Sequence, residues 1–239
     1  MNQVTSNYPA KHRYWGATAK DYNQWRLASP IRRFIWGREF RILERIMRKQ
    51  VGEHSTILDA PTGTGRFLPL FENLGYTVTG IDISIDMLKV QSSSPNAGVP
   101  LAQADCEHLP FQNGAFDYVV SLRFLGHVPP EIRVRVLQEF KRVSSKGMFV
   151  GFPVLNPFTK LKFDLGNLRY KVKNGRSRPW WPASPQSLSN ELDVAGLKIA
   201  HEVKLLGPFS QIAFLHLTPD DACRFPAKTV DRQVHLASA

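Results

Sequence analysis

The sequence predicts an α/β protein, a doubly wound and mostly parallel sheet of seven strands that ends in an antiparallel hairpin, with extra helices at the N-terminus. Three observations carry this. Short β-branched and apolar runs alternate with segments of helical period. A turn with two closely spaced glycines, Asp59-Ala60-Pro61-Thr62-Gly63-Thr64-Gly65, separates the first such run from a helical segment. A last pair of strand-like runs flanks Gly207-Pro208 with no helix between them.

Residues 1–50 read as a helical cap. Pro30 opens a helix that places Ile35, Ile42 and Ile46 on one face, with Trp36, Phe40, Leu43 and Met47 beside it and arginines on the remainder. Ile57-Leu58 begin the first strand and Asp59 closes it. Residues 76–81 form the second, which ends in Asp82, and Ser84, Asp86 and Met87 begin the next helix. Residues 99–104 are a third strand, leading to Asp105-Cys106-Glu107, and residues 116–122 a fourth, leading to Arg123 and His127. Ile132, Val136, Leu137 and Phe140 give residues 130–143 an apolar helical face. Residues 148–152 are a fifth strand. Residues 153–182 are rich in Lys, Arg, Phe and Trp and have no clear period. Ser184 as N-cap, Pro185 after it and Gly196 just past the end bound a helix. Residues 197–205 and 210–217 make the hairpin, and 218–239 read as a loosely ordered tail.

The glycine turn brings backbone N–H groups close to a ligand at the start of a helix. A dinucleotide fingerprint would need Gly or Ala where Leu68 stands, and a phosphate loop would need Lys-Ser/Thr where Arg66-Phe67 stand. Asp59 favours a ligand with a positive group, and Asp82 follows the turn at a distance that suits a ribose diol.

Four motifs in order now resemble the class I S-adenosylmethionine-dependent methyltransferases, in particular their small-molecule, quinone and lipid branch. They are Leu58-Asp59-Ala60-Pro61-Thr62-Gly63-Thr64-Gly65, Gly80-Ile81-Asp82-Ile83-Ser84, Ala104-Asp105-Cys106-Glu107-His108-Leu109-Pro110-Phe111 and Phe116-Asp117-Tyr118-Val119-Val120-Ser121. The resemblance covers roughly residues 14–217 and implies a Rossmann-like fold in one domain over residues 1–217, with S-adenosyl-L-methionine as cofactor. It implies that Asp59 and the turn from Gly63 to Gly65 hold the methionine part, that Ala60 and Pro61 also belong to the cofactor site, and that Asp82 takes the ribose hydroxyls. Ile83 and Met87 would pack near the adenine, Asp105 would accept from its amino group, and Cys106 would supply a backbone N–H. Leu122 would sit beside the sulfonium. The segment from Trp15 to Tyr22 resembles the helix that closes over the cofactor, with Tyr22 near its carboxylate. Residues 153–182 fall where the family places substrate-covering insertions. Pro61 stands where the family's turn has its first glycine, which removes one N–H donor.

Composition sets outer limits. The chain has 239 residues, 43% of them apolar, enough for a core. Cys106 and Cys223 have neither metal-site nor disulfide-framework spacing, so no metal is expected and a reducing, cytoplasmic compartment is. No signal peptide or spanning segment is evident. The net charge of +11 is concentrated in two segments of net +6, residues 26–49 and 160–178. Such segments suggest an anionic partner: an anionic acceptor, or an anionic membrane surface to which the protein is peripheral. The charge also raises an RNA-modifying enzyme as an alternative. No Asn-Pro-Pro-Tyr motif follows the fourth strand and no Pro-Cys nucleophile occurs, so nucleic acid is disfavoured. A non-catalytic cofactor-binding protein is the third reading, opposed by the presence of Asp59, Asp82 and Asp105.

For the methyl acceptor, the sequence offers two candidates just past the fourth strand. His127 is a candidate base, since an imidazole titrates near neutrality. Arg123 is a candidate anchor for an anionic acceptor, or else a surface ion-pair partner of Glu131. The acceptor itself and the oligomeric state are not legible.

Overall fold

The computed structural model describes residues 6–93, 98–205 and 212–220. Three helices come first: α1 (Ala10–Arg13), α2 (Ala17–Leu27) and α3 (Pro30–Gln50). There follow β1 (Thr56–Asp59), α4 (Leu68–Asn73), β2 (Thr77–Asp82), α5 (Ile85–Ser92), β3 (Leu101–Gln103) and β4 (Phe116–Ser121). A 3-10 turn (Leu125–His127) leads to α6 (Pro130–Val143) and β5 (Ser144–Pro153). The chain then forms α7 (Pro157–Asn174), α8 (Pro185–Ala195), β6 (Leu197–Lys204) and β7 (Ile212–Pro219).

One seven-stranded sheet runs in the order β3-β2-β1-β4-β5-β7-β6. The first five strands are parallel, and β7 lies antiparallel between β5 and β6. Successive residues of the inner strands serve opposite faces, as the pleat requires. Leu58 and Val119 join the cluster made by α6 and α8, where Val136, Leu137, Phe140 and Leu192 are buried. Ile57 and Val120 join the cluster on the other face, with Leu43 and Met47 of α3 and Leu68 and Phe71 of α4.

Local chemistry sets the helix ends. Ser84 Oγ accepts the N–H of Met87 at 3.3 Å and starts α5, and Ser184 Oγ accepts from Ser187 at 3.1 Å and starts α8. Gly196 ends α8 at φ 66°, where a side chain would be strained.

Several expectations shift. Residues 153–182 contain the 18-residue helix α7 rather than an aperiodic loop. Its ends were marked: Asn156 and Thr159 form a reciprocal capping box, and Gly175 closes it at φ 69°. The period is blurred because α7 has apolar residues on two opposite sides. Helix α2 begins at Ala17, not Trp15, because Gly16 at φ 60° breaks the chain direction. The buried side of α3 centres on Glu39, Leu43, Ile46 and Met47, with Ile35 and Ile42 only half-buried. Strand β7 runs to Pro219, so Thr218 and Pro219 belong to the sheet rather than to a tail. The turn at Gly207-Pro208 and residues 221–239 lie outside the described residues. Among the described residues, no helix is long and apolar enough to cross a membrane and no group of His, Cys, Asp and Glu could hold a metal ion.

Candidate active site

Strand β1 has β2 on one side and β4 on the other, and the chain reverses its direction of winding there. Loops leave a crevice at the carboxyl ends of strands at such a point. An open cavity lies there, the kind of crevice in which small-molecule sites form.

Asp59 and Asp82 close the adjacent strands β1 and β2, and both are buried and line the cavity. Asp82 Oδ2 accepts the N–H of Gly63 at 3.0 Å and Oδ1 that of Ser84 at 2.8 Å. Thr62 N–H donates to Ile81 O at 2.7 Å. The glycine turn is thus clipped to the end of β2. Burial pushes the Asp59 carboxyl up to about 7, and the neighbouring Asp82 charge adds to it. Burial raises Asp82 to about 6, against the bonds from Ser84 and Gly63 that favour its charged form. Two such carboxylates suit a ligand that brings positive charge and hydroxyl donors. S-adenosyl-L-methionine, with its sulfonium, ammonium and ribose diol, has that donor set.

Of the other expected residues, Tyr22, Pro61, Gly63, Ile83, Met87, Asp105, Cys106, Leu122, Arg123 and His127 line the same cavity. Ala60 and Gly65 do not. Ala60 is fully buried and its N–H goes to Val120 O at 2.9 Å. Gly65, at φ 73°, is required by packing: a Cβ there would stand 2.4 Å from Gln91 Cγ and 3.0 Å from Leu68 Cδ1. Burial, with Asp82 and Asp105 nearby, holds the Cys106 thiol well above its ordinary range, so it is no nucleophile.

Tyr8, Lys11 and Tyr14 also line the cavity and were not anticipated. Lys11 is 6% exposed and pairs with Asp105 at 2.5 Å and Glu107 at 2.7 Å. Ser84 Oγ donates to Tyr14 O at 2.6 Å, and Gly16 N–H to Asp86 at 2.8 Å. Tyr14 meets Tyr22 edge to face, with ring centroids 5.5 Å apart. These bonds hold the N-terminal segment against the loops after β2 and β3. Partners some 94 residues apart leave no local pattern from which Lys11 could have been read.

The wall that follows β4 is polar in a different way. Arg123 has φ 62°, a costly value for a residue with a side chain. It pairs with the buried Glu39 of α3, not with Glu131. Arg66 meets the same carboxylate at 2.5 Å. The three side chains together carry one net positive charge at the cavity wall. His127 ends the 3-10 turn, and its ring meets Trp180 edge to face at 4.9 Å. Gly126 makes that contact feasible, since a Cβ would come within 2.7 Å of the Trp180 ring. Trp181 N–H donates to Gly126 O at 2.8 Å, which ties the segment after α7 to the turn that carries His127.

Sheet order, glycine turn and paired acids together match the fold of class I S-adenosylmethionine-dependent methyltransferases. Residues 58–151 match the family model described as a methyltransferase domain. A protein of Methanocaldococcus jannaschii described as uncharacterized is 31% identical over 64% of this chain and 59% of its own length. The demethylmenaquinone methyltransferase of Staphylococcus aureus is 29% identical over 63% of this chain and 62% of its own. The chain therefore spans less than two thirds of the length of these relatives. Among solved structures, magnesium protoporphyrin IX methyltransferase from Synechocystis with bound SAH superposes with a TM-score of 0.66 at 15% identity, over 84% of this chain and 94% of that one. That likeness is one of fold.

Proposed function

We propose that the chain is an S-adenosylmethionine-dependent methyltransferase whose acceptor is a small or lipid-like molecule with an anionic group. The observation that carries this is the pair of buried acids, Asp59 and Asp82, facing one cavity that Arg123 and His127 also line. The relatives named as methyltransferases support the reaction class.

When bound, S-adenosyl-L-methionine supplies a methyl group already activated by the positive sulfur. The chain's own work is alignment and exclusion of water, an effect worth several kcal/mol. Asp59 and the turn through Gly63 would hold the amino-acid end, and Asp82 the ribose hydroxyls. Ile83 and Met87 would cover the base. Asp105, with Oδ2 held by Lys11 and Oδ1 accepting the Glu107 N–H, would face its amino group. Tyr22 and the N-terminal helices close the cavity from above. Leu122 gives the reacting end an apolar wall. Arg123 and Arg66 attract the acceptor's anionic group, and His127 Nδ1 or Nε2 takes its proton. His127→Ala should lower kcat by about 100-fold, within the usual range for a general base, and leave cofactor affinity unchanged. An unaltered kcat would assign His127 to packing against Trp180.

The raised acids predict a pH dependence. A cationic ligand binds the ionised carboxylates. Protons therefore compete with it as pH falls through about 7 at Asp59 and about 6 at Asp82. The dissociation constant for the cofactor should rise at least about tenfold between about pH 8 and about pH 5.5. The sign for stability is opposite. The folded chain holds protons that the unfolded chain has lost, so without ligand these groups make the fold less stable as pH rises from about 4 to about 7. Calorimetric titration across that range tests both, and a flat affinity would remove the two acids from the ligand's charge.

The acceptor class is tested by incubating the protein and labelled cofactor with cell extract separated into lipid, RNA and small-molecule fractions. Label in the lipid or small-molecule fraction is expected. Label in RNA would favour the nucleic-acid reading, and no label with intact cofactor binding would favour a non-catalytic protein.

A further inference from the structure

The face of α7 turned away from the body combines apolar and cationic chemistry that the methyltransferase site does not use. On its inner side Thr159 is buried and Phe163, Asn167 and Tyr170 are half-buried. On the opposite side Leu161, Leu165, Leu168 and Val172 are 65%, 54%, 59% and 81% exposed. At about 100° per residue, these four fall within a stripe roughly 60° wide along the whole helix. Lys162, Arg169 and Lys173 border one edge of the stripe, and Lys160 and Lys171 the other. The lone acid, Asp164, is paired with Lys160 at 2.6 Å.

Isolated apolar residues on a surface need no explanation, but a periodic stripe does. A second copy of α7 would bring its own lysines and arginines against these. RNA would satisfy the cations and leave four apolar side chains in water. An anionic bilayer surface meets both needs, with acyl chains for the stripe and phosphates for basic residues on either shoulder. Ile31 and Phe34, 71% and 58% exposed beside Arg32 and Arg33 at the start of α3, repeat the combination.

We propose that α7 is an in-plane membrane-docking helix for anionic lipid. Leu161, Leu165, Leu168 and Val172 enter the acyl boundary, and Lys162, Arg169, Lys173, Lys160 and Lys171 lie at headgroup level. The chain then returns through Trp180 to His127, so the docked helix adjoins the acceptor end of the cavity.

The test is flotation of the full chain with vesicles of phosphatidylcholine alone or mixed with phosphatidylglycerol. The chain should float with the mixed vesicles, not with the neutral ones, and less so at about 0.5 M salt. The double substitution Leu165→Glu with Leu168→Glu should cut partitioning at least about tenfold. Circular dichroism and the melting temperature should be unchanged, because both side chains are exposed. Lys162→Glu with Lys173→Glu should weaken binding to mixed vesicles alone. The proposal is overturned by absence of flotation with mixed vesicles, by equal flotation with neutral ones, or by full binding of the leucine variant. It is equally overturned if sedimentation finds a dimer that the leucine variant dissolves while no vesicle binding occurs.

Discussion

Asp82→Ala should lower affinity for S-adenosyl-L-methionine by at least about 100-fold, the loss of two hydrogen bonds to a charged acceptor at about 1.5–3 kcal/mol each. The fold should survive. With its carboxyl raised to about 6 by burial, Asp82 is ionised at neutral pH at a cost to the folded state. Removing it relieves that cost, while the bonds from Gly63 and Ser84 are lost. The two changes oppose each other, so the melting temperature should move by only a few degrees. Asp82→Asn keeps one acceptor oxygen and should fall between alanine and the native chain. Calorimetry for binding, beside a thermal melt, separates the outcomes. Unchanged affinity with a large drop in melting temperature would make Asp82 a clip for the glycine turn and nothing more.

The residues that could be read ahead of the structure share a feature: their role is encoded within a few positions. Asp59 and Asp82 end apolar runs and sit beside turns, so strand direction alone points them at the crevice. Gly63 and Gly65 announce positive φ, although only Gly63 lines the cavity; the sequence cannot tell a glycine that admits a ligand from one that admits Gln91. The unread residues act across distance. Lys11 answers Asp105, Glu39 gathers Arg66 and Arg123, and each pairing forms only once the sheet is assembled. Helix α7 was hidden for another reason. Its caps at Asn156, Thr159 and Gly175 are plain, but leucines on its outer side and Phe163 and Tyr170 on its inner side cancel the simple amphipathic signal.

Arg133→Met should be among the most destabilising single changes, at about 3–5 kcal/mol, because it leaves a buried carboxylate without its partner. Arg133 is fully buried on α6 and grips Glu191 of α8 with two bonds, at 2.6 and 2.7 Å. Its remaining nitrogen donates to Leu125 O at 3.1 Å and Trp181 O at 2.7 Å, and the guanidinium lies over Phe152. One side chain therefore ties α8, the turn that carries His127 and the segment that carries Trp180. For a chain of this size the melting temperature should fall by about 10 °C. Pairing Arg133→Met with Glu191→Leu removes the stranded charge and should restore much of the melting temperature. It cannot restore the bonds to the two carbonyls, so kcat should stay depressed in the double variant while cofactor affinity is normal. Recovery of kcat together with stability would show that Arg133 serves the fold alone. Stability without turnover would mark it as a positioning residue, acting on His127 and Trp180 through the carbonyls of Leu125 and Trp181.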